Sequence, residues 1–316
     1  MKKIILSSLF ILSLGIISCH QTVLPSRSFP VVKAPGIMTE QDDILCYLVS
    51  HYWDSLLDTT AIGNYREDTT YLAGVSLSDV EQAFANYIGF TAAVPWNVAV
   101  TSIESLYSHL IDYKSSSNES FVFEKMSEII ERYLYDPNSP LRNEDLYHYF
   151  AGCMSESDLV DEVSQDRYRD QYLRTGLNMV GSKASDFFYI DSNGHPGSLH
   201  AINSEYTLLF FVNPGCMACK EIIDILAADK NIIDLQTAGR LKVIDVYIDE
   251  EIQDWMSNKD VYPPYWITAY EHNHIIRDEL LYDVRAIPSL YLLDRDKRVI
   301  FKDAPVEQIF DYLLNL

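Results

Sequence analysis

Apolar positions along the chain follow two different periods, and the change comes near residue 180. Between about residues 38 and 178 they recur every three or four positions, the spacing that places them on one face of an α-helix. Polar breaks divide this stretch into five or six amphipathic segments. The pattern therefore predicts a small all-α domain over residues 37–180.

After Gly181 the pattern changes to short apolar runs that are separated by turn residues. Runs of this kind predict strands, and the longer ones are typical of strands buried on both faces of a sheet. Five runs predict strands and two stretches with helical spacing predict helices: 186–191, 206–212, 241–248, 288–293 and 299–301, and 219–228 and 306–314. This order predicts an α/β domain over residues 181–316, with a central mixed sheet flanked by helices.

The N-terminal residues have the composition of an export signal. Two lysines precede an apolar run over residues 4–17, which is too short for a membrane span of about 20 residues. The run ends in Ile16-Ile17-Ser18-Cys19, which resembles a bacterial lipobox. The resemblance implies a lipoprotein signal peptide over residues 1–18, cleavage before Cys19 and lipidation of its thiol. An ordinary secretory signal with an incidental cysteine and an uncleaved anchor are the alternatives.

Residues 19–36 contain three prolines among small and polar residues, which predicts a tether. Acyl chains on Cys19 would hold the protein at a membrane surface, outside the cytoplasm, where disulfides form. No acidic run follows Cys19. We therefore expect a lipid-anchored protein of the bacterial cell envelope that faces the periplasm.

The formal net charge of −22 excludes one large class of partner. Nucleic-acid binding needs clustered Lys and Arg, and so does broad adsorption to an anionic membrane surface. We therefore expect no nucleic-acid partner, and membrane contact only through the N-terminal lipid. The hydrophobic share of 48% is enough for a sizeable buried core.

The motif Cys216-Met217-Ala218-Cys219 follows a predicted buried strand and opens a predicted helix. Free amide groups and the helix dipole at a helix N-terminus stabilise a thiolate, so Cys216 is the candidate nucleophile. Cys219 lies one turn further on and is the candidate resolving thiol. A structural disulfide and half of a zinc site are the alternatives. Zinc needs two more soft ligands and no second C-x-x-C exists, so we expect neither a metal nor another cofactor.

Two further cysteines, Cys46 and Cys153, lie in predicted helices. Both are interpreted as small buried apolar residues. A disulfide between them is the alternative, because the sequence does not determine whether they are in contact.

Residues 183–316 resemble the thioredoxin-like superfamily, in its periplasmic, membrane-tethered thiol–disulfide oxidoreductase branch. The strand–Cys216-x-x-Cys219–helix unit and the segment 284–294 carry the resemblance. It implies that Pro288 is cis and faces the dithiol, and that the backbone of Ile287 pairs with a substrate strand. A trans proline at the start of an edge strand is the alternative. The whole chain resembles bacterial lipoproteins in which a helical domain of unknown function precedes this domain.

The sequence departs from that family at several positions. Many relatives have Trp directly before the first cysteine, where this chain has Gly215. Met217 and Ala218 supply neither charge nor a fixed turn between the cysteines, so the direction of electron transfer stays open. Many relatives also use a buried carboxylate as proton acceptor. Glu221 is the nearest candidate for that role, and a surface position is its alternative.

These features predict an enzyme that performs thiol–disulfide exchange on extracytoplasmic proteins. Its partners would be protein thiols or disulfides in the envelope. The alternative is a non-catalytic envelope module that retains a thioredoxin-like fold and acts in binding or redox sensing. The two hypotheses differ in whether Cys216 turns over a disulfide substrate.

Overall fold

The computed structural model describes residues 24–271 and 273–316, which form a helical region followed by a mixed α/β region. The predicted signal peptide and Cys19 lie outside the described residues. Six helices and one small hairpin make up the first region: α1 (Gln41–Ser50), β1 (Tyr71–Leu72), β2 (Val75–Ser76), α2 (Leu77–Thr91), α3 (Trp96–Ser116), α4 (Val122–Leu134), α5 (Glu144–Ser155) and α6 (Glu162–Thr175).

Side-chain caps fix where several of these helices begin. The Ser76 hydroxyl accepts a hydrogen bond from the Asp79 amide at the start of α2, and Asn143 and Asp161 cap α5 and α6 in the same way. Such caps pair amide groups that have no partner within the helix. The helices pack around a core rich in aromatic side chains, including Trp53, Phe84, Tyr147 and Phe150. The all-α prediction for this part of the chain is confirmed.

The segment before α1 is irregular, yet part of it packs against the helical region. The Arg27 amide donates to the Gly74 carbonyl at 2.8 Å, and its Nε donates to the Ala73 carbonyl at 2.8 Å. The Phe29 ring centroid lies 5.7 Å from that of Trp53, at the edge of the aromatic core. The middle part of the predicted tether, which includes Arg27 and Phe29, is therefore attached to the helical region rather than free.

The second region is built on a seven-stranded mixed sheet. Its elements in chain order are β3 (Phe188–Asp191), β4 (Pro196–Ser198), β5 (Tyr206–Phe211), α7 (Met217–Ala228), α8 (Lys230–Thr237), β6 (Leu241–Tyr247), α9 (Ile252–Asn258), β7 (Ile267–Tyr270), α10 (Ile275–Asp278), β8 (Ser289–Leu293), β9 (Val299–Phe301) and α11 (Val306–Leu314). The spatial order of the strands is β4-β3-β7-β6-β5-β8-β9. The predicted mixed sheet flanked by helices is confirmed.

The central strand β5 pairs in parallel with β6 and antiparallel with β8. Its side chains alternate between two separate cores, as the period of a strand requires. Leu208 and Phe210 pack with α7 and α11, whereas Leu209 and Phe211 pack with Tyr282 and Tyr291. Burial on both faces explains why the sequence of β5 is a continuous apolar run.

In the described part of the chain, no helix combines the length and the apolar character that crossing a membrane would need.

Candidate functional site

The candidate site lies where β5 ends and α7 begins. A turn over residues 213–215 connects them, and Gly215 adopts a φ of +77°. This left-handed conformation costs glycine little, because it has no Cβ to clash with the backbone. The turn places Cys216 at the N-cap of α7, the position that the sequence predicts.

Cys216 and Cys219 are joined by a disulfide, with their Cα atoms 5.2 Å apart. The Cys219 amide donates a hydrogen bond to the Cys216 sulfur at 3.1 Å. A backbone N–H aimed at this sulfur would stabilise its thiolate in the reduced protein. Cys216 is partly exposed, whereas Cys219 is 2% exposed. Cys219 is therefore more shielded from solvent than Cys216.

The segment before β8 lies against the dithiol. The Ile287–Pro288 peptide bond is cis, which confirms the isomer implied by the family resemblance. The Ile287 carbonyl oxygen lies 4.0 Å from the Cys216 sulfur. Both residues of this peptide bond are partly exposed. Their role in substrate binding stays a prediction.

A cavity of about 230 Å³ opens next to the two cysteines. Its walls are mainly apolar and include Pro214, Met217, Ile223, Val261 and Tyr262. The Met217 side chain is 70% exposed at its edge. The cavity therefore places an apolar surface beside the two cysteines.

Glu221 does not provide the buried carboxylate that the family resemblance implies. It lies on the exposed face of α7, which is the surface alternative. Asp245, in the middle of β6, is completely buried and sequence reasoning missed it. The available signal was a single carboxylate within the apolar run 241–248, because buried charged residues are rare and usually have a role.

Asp245 occupies the side of the sheet that carries Cys219. It pairs in register with Phe210 and alternates with Ile244 and Val246, which pack in the opposite core. Burial raises the pKa of Asp245 well above its ordinary value, and a hydrogen bond from Thr268 at 2.9 Å opposes this shift. Its second oxygen, Oδ2, has no hydrogen-bond partner among the described residues.

Tyr262 connects this carboxyl with the cavity. The Tyr262 ring lines the cavity and belongs to the same core cluster as Cys219. Burial and the nearby Asp245 carboxylate both raise the pKa of Tyr262. A buried acid, a phenol and the inner cysteine therefore share one side of the sheet.

The remaining candidate groups are the other two cysteines and possible metal ligands. Cys46 and Cys153 are free thiols, half-buried on α1 and α5, so they are not joined by the disulfide that the sequence left open. In residues 24–271 and 273–316, no group of three or more His, Cys, Asp or Glu side chains could hold a metal ion.

Comparison with known proteins agrees with this architecture. The family model for a domain of unknown function, DUF5106, matches residues 13–175. The crystal structure of a thioredoxin-like protein from Bacteroides caccae is similar over 92% of this chain and 99% of that one, with 34% sequence identity and a TM-score of 0.78. The C-terminal domain of an uncharacterized protein from Bacteroides fragilis is similar over 43% of this chain and 98% of that one, with 42% identity and a TM-score of 0.42. No curated protein matches.

The mixed sheet, the dithiol at a helix N-terminus and the similarity to the Bacteroides caccae protein define the class: a thioredoxin-like protein with an additional N-terminal helical domain. Since the DUF5106 model covers about half of the chain, the protein belongs to the DUF5106 family.

Proposed function

We propose that the protein is an enzyme of thiol–disulfide exchange, with Cys216 as nucleophile and Cys219 as resolving thiol. One observation carries the proposal: the partly exposed Cys216 caps α7 through its sulfur and is joined by a disulfide to the shielded Cys219. The accessible sulfur can meet a substrate, and the shielded one can act only on its neighbour.

The exchange transfers two electrons from the Cys216–Cys219 dithiol to a substrate disulfide. The Cys216 thiolate attacks one sulfur of a substrate disulfide, and the other substrate sulfur leaves as a thiolate. The Cys219 thiol then loses its proton and attacks the Cys216 sulfur, which releases the second substrate thiolate and forms the Cys216–Cys219 disulfide. The same steps in reverse oxidise a substrate dithiol.

Asp245 is our candidate acceptor for the Cys219 proton. It is buried on the same side of the sheet, has an oxygen with no partner among the described residues, and has a raised pKa because of burial. A carboxyl with a raised pKa exchanges protons closer to neutral pH than an exposed one does. The comparison of Asp245→Asn with Glu221→Gln tests this choice. We expect the first to slow release of the mixed disulfide at least about tenfold and to change its pH profile. Equal rates in both variants would contradict it.

We further propose that the enzyme works in the bacterial cell envelope, lipid-anchored through Cys19 and facing the periplasm. Its substrates would be protein thiols or disulfides there. The lipobox-like residues 16–19 support the anchor, and a redox dithiol suits a compartment where disulfides persist. Mass spectrometry of the mature protein would test the anchor by the mass of the lipid on Cys19.

The decisive experiment is disulfide reductase activity of a soluble form without the lipid, with dithiothreitol as electron donor and a disulfide-linked peptide as substrate. Cys216→Ser should reduce the rate to that of the uncatalysed reaction. Cys219→Ser should trap a mixed disulfide between Cys216 and the peptide. Activity that survives Cys216→Ser would instead favour a non-catalytic binding or redox-sensing module.

A further inference from the structure

The helical domain contacts the segment that carries Ile287 and Pro288. Residues 281–288, which we term the loop before β8, connect the short helix α10 to the strand that starts at Ser289. One side of this loop faces the dithiol, through the Ile287 carbonyl oxygen. The other side makes polar contacts with the helical domain, and Arg285 is at their centre.

Arg285 extends from the loop into the helical domain. Its Nη1 donates to the Tyr135 carbonyl at 2.5 Å, and its Nη2 donates to the Glu144 carboxylate. The guanidinium also stacks on the Tyr135 ring, with its carbon 3.7 Å from the ring centroid. Donation to two separate acceptors together with stacking uses the planar shape of Arg as well as its charge.

Two further contacts hold the same loop at its start. The Asn178 side-chain amide donates to the Leu281 carbonyl at 2.7 Å. Arg174 on α6 donates to the Asp283 carboxylate at 3.3 Å, and the other oxygen of that carboxylate lies 3.4 Å from Arg285 Nε. The loop is therefore attached to the helical domain at three positions along its length.

The helical domain also makes polar contacts with the turn after β9. Lys302 donates to the Thr175 carbonyl at 2.6 Å and lies 3.4 Å from the Glu144 carboxylate. Arg142 donates to the Asp303 carbonyl at 2.6 Å. Four carboxylates face four cations in this interface cluster: Glu144, Asp145, Asp283 and Asp303, and Arg142, Arg174, Arg285 and Lys302.

The cluster is too buried to be a set of surface ion pairs. The side chains of Glu144 and Lys302 are each 2% exposed, and that of Arg285 is 17% exposed. Removing one partner of a buried pair leaves an uncompensated charge, which destabilises the fold. Arg285 of this cluster is two residues from Ile287 in sequence. The arrangement of the cluster therefore bears on the backbone that faces the dithiol.

We propose that the helical domain positions the loop before β8 against the dithiol, and that Arg285 is the positioning residue. The domain thus sets the geometry of the surface where a substrate strand would pair with Ile287. This inference rests on the proposed function for its kinetic consequence, but not for the structural coupling itself.

Three variants of the full mature chain test the proposal. Arg285→Lys keeps the charge and loses the planar fork, and Glu144→Gln removes the carboxylate that this fork binds. Glu144→Gln combined with Arg285→Gln removes both charges of the pair, so that neither partner is left as an unpaired buried ion. This double variant serves if a single variant fails to fold. Arg240→Lys is the matched control, because Arg240 makes a bidentate pair with Glu205 before β5, at the end of the strand away from the dithiol.

We expect KM for a disulfide-linked peptide to rise about tenfold in the cluster variants. The rate with dithiobis-nitrobenzoate, a small disulfide that needs no strand pairing, should not change. Hydrogen exchange at the amides of residues 281–287 should become faster in these variants and stay unchanged in Arg240→Lys.

Folded variants with unchanged KM and unchanged exchange in residues 281–287 would overturn the proposal. A parallel loss with both substrates, without faster exchange, would overturn it as well, since it would indicate a general defect. If the wild type lacks Cys216-dependent activity, the proposed function fails, while the exchange measurement still decides whether the helical domain holds the loop.

Discussion

The two domains bury their charged residues in different places. In the described part of the helical domain, the charged residues that are buried are Glu144 and Asp145, and both lie at the face that meets the other domain. The thioredoxin-like domain buries Asp283 at this interface too, and it also buries charged residues away from it: Asp245 inside its own sheet, on the side of Cys219, and Glu271 and Lys297. Because burying a charge is costly, its location indicates where a protein uses one. Here the first domain buries charge at the interface, whereas the second also buries it within its own fold.

Large-to-small substitutions in the two cores test whether the interface makes the domains unfold together. Phe84 and Phe210 are both fully buried, one in each domain. We expect Phe84→Ala and Phe210→Ala each to lower the free energy of unfolding by about 3–5 kcal/mol, because each leaves a cavity. Both should lower the midpoint of one common unfolding transition in urea, measured by circular dichroism. A Phe84→Ala protein whose thioredoxin-like domain unfolds separately at the wild-type midpoint would show that the interface does not couple them.

The free energy of unfolding should depend on pH through the ionisation of Asp303 in the interface cluster. Burial, and then the nearby Glu144 carboxylate, raise the pKa of Asp303 to about 6. A carboxyl with a raised pKa binds its proton more tightly in the folded state, so the free energy of unfolding falls as pH rises from about 4 to about 6. The contribution is at most about 3 kcal/mol.

Asp303→Asn should flatten this part of the profile, measured as Tm between pH 4 and pH 7. Asp296→Asn, at an exposed position in the turn before β9, is the control and should keep the wild-type slope. An unchanged slope in Asp303→Asn would mean that another group dominates.

A smaller effect concerns the helix caps. Ser76 caps α2 with a hydroxyl, whereas α7 is capped by the sulfur of Cys216. Ser76→Ala should lower the free energy of unfolding by about 1 kcal/mol and leave disulfide reduction unchanged. The neighbouring Ser78→Ala should cost less, since Ser76 is the residue that accepts from the Asp79 amide. A change in reduction rate in Ser76→Ala would mean that the helical domain influences the dithiol through more than the interface cluster.

The sequence was sufficient for features that depend on local signals. A buried run followed by a turn and a C-x-x-C predicts a sulfur at a helix N-terminus, and Cys216 lies there. Helical spacing likewise predicts five or six helices in the first region, and six α-helices form in its described residues. The strand β7, however, has only four residues and was missed, as were β4, α8 and α9. Short elements contain too few positions for their period to be recognised.

The features that the sequence could not predict depend on contacts between distant residues. Arg285 and Glu144 are 141 positions apart, and each alone resembles an ordinary surface charge. Glu221 is the candidate proton acceptor that sequence proximity to Cys219 indicates. Asp245, by contrast, reaches the side of the sheet that carries Cys219 through strand pairing. The attachment of residues 25–29 was hidden by their prolines and polar neighbours, which are typical of a linker.

That attachment limits how far the protein could extend from a membrane. If Cys19 carries a lipid, only six residue steps separate it from Pro25, whose carbonyl accepts a hydrogen bond from the Arg66 amide. Six fully extended residues reach about 20 Å. Pro25, where the chain joins the helical domain, would then lie within about 20 Å of the lipid headgroups. The distance of the dithiol from the bilayer would therefore be set by the dimensions of the folded domains and not by a long flexible segment.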